Sequence, residues 1–267
     1  MPSDQLFDLR TYLDHDVLAA YRDYQPVALA WWSNPGNETS NLGLDNTTVR
    51  AMSTGIRGSE HGPIALYEAW AAVQFAKIAD DARLHQSLAT QEGFDAWHAT
   101  LAESLVAHWR ARVTENNARL REHEGDAHIP ANPDLSIAHR YKMVDLFVKF
   151  LRVRGTEHPE LARHCYAFGH IPLDRKSLAV ISAAFSGMLV GAGDTFSMGD
   201  IVSEQMYRTS QRLARAICQE AGGTPLLLDV FAWHAPFAQR LYEDRPALPS
   251  RKAMTRARNR ARAGAGA

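Results

Sequence analysis

Cysteine is nearly absent: the 267 residues carry two, Cys165 and Cys218. Two distant thiols make neither a disulfide framework nor a cysteine-ligated cluster, and they fit a reducing cytoplasm. Long apolar runs are missing as well. None approaches the ~20 residues that a membrane span requires. The first stretch, MPSDQLFDLRTYLDHD, is too acidic and too poor in apolar residues for a secretory signal. Without such a signal, Asn-Glu-Thr at 37 and Asn-Thr-Thr at 46 read as chance matches to the glycosylation pattern. No alternation of apolar and polar residues marks a strand, and no dipeptide pair marks a hairpin. The twelve histidines show no ligand spacing, so the expectation is a chain without metal or cofactor.

Helical patterning is what the sequence has. Hydrophobic residues make up 46% and charged residues 22%, enough for a sizeable core in one large domain or two packed subdomains. The stretch HGPIALYEAWAAVQFAKIADDARLHQSL starts at Pro63 and repeats Leu66, Trp70, Val73 and Ile78 at helical spacing. FDAWHATLAESLVAHWRARVTENNARLREH reads as a long helix ending at Gly125, and LSIAHRYKMVDLFVKFLRVR as one stopped by Gly155. DRKSLAVISAAFSGMLV follows Asp174, DIVSEQMYRTSQRLARAICQEAGG ends in a Gly-Gly stop, and LLLDVFAWHAPFAQRLYED is the last strong segment. The fold class is therefore all-α. Trp31, Trp32, Trp70 and Trp109 suit a core or a subdomain interface. Residues 33–62 are rich in Asn, Gly, Ser and Thr and read as a long polar loop, either a cover for a cleft or a surface insertion.

Charge is uneven. The tail at 251–267, RKAMTRARNRARAGAGA, holds six basic residues and no acid; without them 23 basic residues face 30 acidic ones, leaving the body at −7. A basic arm on an acidic body suits a polyanion, nucleic acid first, or is a solvated end.

Two short stretches carry the chemistry. In HIPLDRKSLAVI, Asp174 stands at a helix mouth, where a carboxylate accepts the free N–H groups of the first turn. In HRYKMVDLFVKFL, Lys142, Asp145 and Lys149 are spaced by three and four on an otherwise apolar helix. They form either an ion-paired stripe facing water or a buried group. An ammonium is costly in a buried setting, and a neutral lysine amine is a nucleophile.

The blocks KMVDLFVK, HIPLDRK and GGTPLLLDVFAW, in this order and at these intervals, resemble archaeal 8-oxoguanine DNA glycosylases of the helix-hairpin-helix glycosylase superfamily. The resemblance covers 134–243. It implies a helical glycosylase domain over 1–250, built of two packed helical subdomains with the active site in the cleft between them, followed by the basic tail. It implies Lys142 as a Schiff-base nucleophile with Asp174 opposite it. Lys149, Asp229 and Trp233 would hold the flipped base, with Phe94 or Trp97 supplying a second stacking face. Two departures stand out. LSIAHRY before Lys142 lacks the glycine-rich turn that binds a DNA phosphate, leaving Arg140 and the tail residues Arg256, Arg258 and Arg260 to hold the backbone. One of the two prolines in the block at 170 is also missing. The implied protein is a monomeric, cytoplasmic, metal-free enzyme that excises 8-oxoguanine with accompanying lyase activity. A hypermodified phage base, such as glucosylated hydroxymethylcytosine, is the rival target. A catalytically inert DNA-binding module is the rival class.

The charge pattern itself is testable. Deleting 251–267 is expected to weaken DNA binding equally across sequences. It should flatten the salt dependence by up to about 0.9 log unit for each phosphate that the tail neutralises, read from binding isotherms at several salt concentrations. An unchanged slope would assign the tail to solvent.

Overall fold

The computed structural model describes residues 9–37, 44, 48, 62–79, 81–125, 130–154, 157–185 and 197–243. The basic tail and most of the 33–62 stretch lie outside the described residues. Among the described residues there are ten α-helices and no strand. They are α1 (His15–Trp32), α2 (Pro63–Ala79), α3 (Ala82–Ser87), α4 (Gln91–Glu124), α5 (Ile137–Phe150), α6 (Pro159–Phe168), α7 (Arg175–Ala184), α8 (Glu204–Ala221), α9 (Pro225–His234) and α10 (Pro236–Glu243). None is long and apolar enough to cross a membrane.

Local chemistry sets most of the ends. Side chains of Asp14, Thr90, Ser136, Ser203 and Thr224 each accept a first-turn N–H of α1, α4, α5, α8 and α9. Proline opens α2, α6, α9 and α10, where the missing N–H costs nothing. Gly222, at φ +77°, ends α8 in the left-handed conformation that glycine adopts freely.

The structure differs from the sequence expectation in four places. The segment after Pro63 is not one helix: it stops at Ala79, and Asp81 caps the short α3. The last segment breaks before Pro236, whose ring and missing N–H interrupt a helix. Helices α1 and α6 were not anticipated, although Asp14 and Pro159 are ordinary helix openers. Val73 does not join its periodic partners in the core: it is 51% exposed, whereas Leu66, Trp70 and Ile78 are buried.

The buried apolar residues form one continuous cluster from Leu13 to Ala238. On one side α2 and α5 pack against α4, and Trp70 meets Phe147 edge-on at 5.1 Å between ring centroids. On the other side α1 lies along α9, and α7 packs against α9 and α10. Tyr21 of α1 touches Phe231 of α9 at 5.4 Å and donates its hydroxyl to the Thr224 carbonyl at 2.9 Å. A Cβ on Gly223 would sit 2.2 Å from the Tyr21 oxygen, so that contact requires glycine. Trp32, Trp70 and Trp109 are core residues, as their composition suggested. Helix α5 packs against α4, α6 and α8, and every residue from Tyr141 to Val148 is buried.

The α1–α9 contact should carry measurable stability. Phe231→Ala is expected to lower the unfolding free energy by about 3–5 kcal/mol. Tyr21→Phe, which removes the hydroxyl's bond to the Thr224 carbonyl and its contact with Cys218 Sγ, should lower it by about 1 kcal/mol. Urea titrations of the two variants would check both values.

Candidate active site

The burial of α5 decides between the two readings of its charged residues. Lys142, Asp145 and Lys149 do not face water as a stripe. Each takes its partner from another element. Lys142 Nζ lies 3.3 Å from Asp174 Oδ2 at the start of α7, with side chains 7% and 12% exposed. Lys149 pairs with Asp229 Oδ2 on α9. Asp145, fully buried, receives His98 Nε2 of α4 at 2.7 Å and the Tyr207 hydroxyl of α8 at 2.8 Å.

Asp174 divides its two oxygens between two tasks. Oδ1 accepts the Lys176 and Ser177 N–H groups at 2.8 and 3.0 Å, capping α7. Ser177 completes a capping box: its Oγ accepts the Asp174 N–H at 2.8 Å and donates to the Pro172 carbonyl at 3.0 Å. Oδ2 takes no part in the N–H cap. It accepts the Trp233 indole N–H at 3.0 Å and faces Lys142. The cap fixes the carboxylate, and the second oxygen meets the amine.

The last block behaves less simply than its spacing suggests. Asp229 and Trp233 are one turn apart on α9, but they address different partners. Trp233 aims at Asp174, and the Lys176 ammonium sits 4.3 Å over its ring. Asp229 is buried, and its Oδ1 has no hydrogen-bond partner among the described residues. Burial raises the Asp229 carboxyl above its usual range; Lys149 opposes this, and Asp174 adds to it. Trp31 of α1 is the aromatic beside this pair. Its ring lies 5.1 Å from Lys149 Nζ, 4.5 Å from the Arg152 guanidinium and 5.2 Å from the His234 ring. Sequence reading placed Trp31 in the core or an interface and gave Lys176 no role. Lys176 stands two residues past Asp174, within the block that singled that aspartate out.

Other expected site residues fall elsewhere. Phe94 is fully buried against Trp97, Phe168 and His170, away from Lys142 and Asp174, so it offers no free face to a base. Trp97 lies in the same cluster. Arg140 is ion-paired with Glu204 and donates to the Tyr141 hydroxyl at 2.8 Å. Arg256, Arg258 and Arg260 lie outside the described residues. Among the described residues, two cavities have linings that include neither Lys142 nor Asp174. One, of about 260 Å³, is bordered by His98, Tyr141, His170, Tyr207 and arginines of α8. The other, of about 330 Å³, is bordered by Leu29, Trp32, Ser33, Arg152 and Tyr166.

Behind α5 the fold gathers three buried donors that sequence spacing did not reveal: His98, Asp145 and His170, from α4, α5 and the segment before α7. Burial holds His170 down to about 3, with Asp95 acting the other way. Burial also pushes Asp95 up, but hydrogen bonds and charge from His170 and Arg215 outweigh it and keep that carboxyl well below its usual range.

Comparisons of the chain with protein-family models, with curated proteins and with solved structures find no match. The resemblance stands on its residues alone.

The Lys149–Asp229 pair generates a prediction. Lys149→Met strands a buried carboxylate and is expected to cost about 3–5 kcal/mol at neutral pH. Burial raises Asp229 in the folded state, and removing Lys149 raises it further. The folded variant therefore holds a proton that the unfolded chain releases, and part of the lost stability should return as pH falls. Urea denaturation of wild type and variant between pH 7 and 5 would check this. A loss that does not shrink on acidification would mean Asp229 is not the stranded charge.

Proposed function

We propose that the chain is a DNA glycosylase with lyase activity, working through Lys142 and Asp174 on DNA that carries a modified base. The observation that carries this reading is the buried pair itself: an amine 3.3 Å from a carboxylate whose other oxygen is locked in a helix cap. A glycosylase with lyase activity uses such a pair. Asp174 takes a proton from the Lys142 amine and stabilises the positive charge that grows at C1′. The Lys142 nitrogen then bonds to C1′. The glycosidic bond breaks, its electron pair leaves with the base, and the proton held at Asp174 can follow it. Opening of the sugar gives a Schiff base, from which the 3′ phosphate can be eliminated.

On this reading α2, α4 and α5 belong to one subdomain and α1 with α7–α10 to the other, with the pair in the cleft between them. The enzyme is a cytoplasmic monomer. Asp229 with its open Oδ1, Lys149 and Trp31 hold the base. Trp233 orients Asp174 and offers the base a ring face beside Lys176. The target that the resemblance favours is 8-oxoguanine. One observation favours the rival, a bulkier base such as glucosylated hydroxymethylcytosine in phage DNA. The cavity of about 330 Å³ shares Arg152 with the Trp31 cluster, and it gives a large substituent somewhere to go.

Borohydride should trap a covalent protein–DNA adduct, and Lys142→Gln should abolish both trapping and base release while the protein stays folded. Asp174→Asn should cut excision strongly and leave DNA binding intact. Trp233→Ala should weaken binding of the target base by about 1–3 kcal/mol with little effect on plain DNA. Duplexes with 8-oxoguanine, and phage DNA with hydroxymethylated or glucosylated cytosine, separate the two targets by where abasic sites appear. Base excision by Lys142→Gln at near wild-type rate would sink the mechanism. Activity on none of these DNAs leaves some other modified base or the inert binding module.

A further inference from the structure

A second polar centre lies behind α5, and it holds a buried oxygen that none of its contacts uses. Five contacts run through it. His98 Nε2 meets Asp145 Oδ1 at 2.7 Å, and the Tyr207 oxygen meets the same Oδ1 at 2.8 Å. His170 Nδ1 meets the Tyr207 oxygen at 2.8 Å, and His170 Nε2 meets both Asp95 Oδ1 at 2.7 Å and Arg215 Nη2 at 2.6 Å. Asp145 Oδ2, on a residue with no solvent exposure, has no hydrogen-bond partner among the described residues. A buried carboxylate oxygen is costly unless something meets it.

We infer that His98, Asp145 and His170 bind a divalent metal ion of the zinc class, with Tyr207 alongside. The two imidazoles and the carboxylate already converge, their ligand atoms lying within 4.8 Å of one another. Two nitrogens and a carboxylate oxygen are donors that zinc-class ions accept, and modest side-chain shifts bring them to bonds of about 2.0–2.2 Å. An ion would take the place of the His98–Asp145 and His170–Tyr207 hydrogen bonds. His98 Nε2 and His170 Nδ1 would turn lone pairs to it, and Asp145 would gain a use for its second oxygen. The Tyr207 hydroxyl would still donate to Asp145. His170 would then carry its hydrogen on Nε2, donated to Asp95, and Arg215 would turn from that nitrogen to Asp95 alone.

That last bond is the arrangement a metal-bound imidazole favours, with a carboxylate behind it fixing the tautomer. Asp95 is itself held by Arg215, with contacts of 2.8 and 3.1 Å. The cavity of about 260 Å³ is lined by His98, His170 and Tyr207, which gives the ion a route from solvent. The ion would tie α4, α5 and α8 to the segment that leads into Asp174. Gln211 holds that same segment through both backbone groups of Ile171, at 3.0 and 2.9 Å. The site is structural: it braces the helix that carries Lys142 and the segment that ends at Asp174, without touching either side chain.

The test is metal content and affinity, measured on the full chain. Protein purified without chelator is expected to contain about one zinc-class ion per chain by elemental analysis. Stripping with chelator should lower its melting temperature, and adding back zinc alone should restore it. Cobalt substitution should give the visible absorption of a nitrogen–oxygen site. Asp145→Asn and, independently, His98→Gln should each lower cobalt affinity at least tenfold. Stripped wild-type protein that takes up neither zinc nor cobalt would overturn the inference. So would a metal-free His170 ring carrying both hydrogens by nitrogen NMR, because the nitrogen that the ion needs would then hold a proton.

Discussion

A helix buried on every side cannot leave its charges unpaired, and α5 is such a helix. Eight successive residues, Tyr141 to Val148, are out of water, and Lys142 and Asp145 are among them. An isolated buried charge costs far more than one helix contributes, so each has to meet an opposite charge or a hydrogen-bond partner. Lys142 fixes where the start of α7 lies, through Asp174. Lys149 fixes α9 through Asp229. Asp145 draws in α4 and α8 through His98 and Tyr207. The packing of the bundle and the placement of its reactive groups are thus one problem with one solution.

The same constraint explains why Asp174 serves two purposes. A capping carboxylate ordinarily spends its oxygens on first-turn N–H groups. Here one oxygen suffices for the cap, because Ser177 adds the reciprocal bond of a capping box. The second oxygen is then held rigidly, with Trp233 on one side and Lys142 on the other. A group fixed by backbone hydrogen bonds does not need to reorganise when charge appears beside it, which is the property that electrostatic catalysis exploits.

The polar centre at Asp145 and the pair at Lys142 are neighbours on one helix. Three residues separate them in sequence, less than one turn of α5, yet different elements meet them. What braces Asp145 therefore sets the position of Lys142. Interiors packed to crystal density transmit such displacements instead of absorbing them.

Sequence alone determined the fold class, and the resemblance of three blocks singled out the candidate residues, with spacing leaving Lys142 open between a stripe and a buried group. Helical periodicity is a local signal, and so are Ser, Thr and Asp caps, opening prolines and the Gly222 stop. Lys142 and Asp174 stood out for the same reason: each sits in a short block whose chemistry is visible within a dozen residues. Boundaries that depend on a single capping residue, such as Asp81 inside an apparently continuous pattern, were less legible, and α1 and α6 were passed over. Partnerships were decided only by tertiary structure. Lys142, Asp145 and Lys149 share a face on paper, yet burial sent them to partners on four other elements. Trp233 turned to Asp174, Trp31 came to lie beside Lys149, and Phe94 vanished into the core. His98, Asp145 and His170 show no ligand spacing because they come from three separate segments. The cost of an unpaired buried charge is paid in space, and one-dimensional spacing carries no record of which distant residue will meet it.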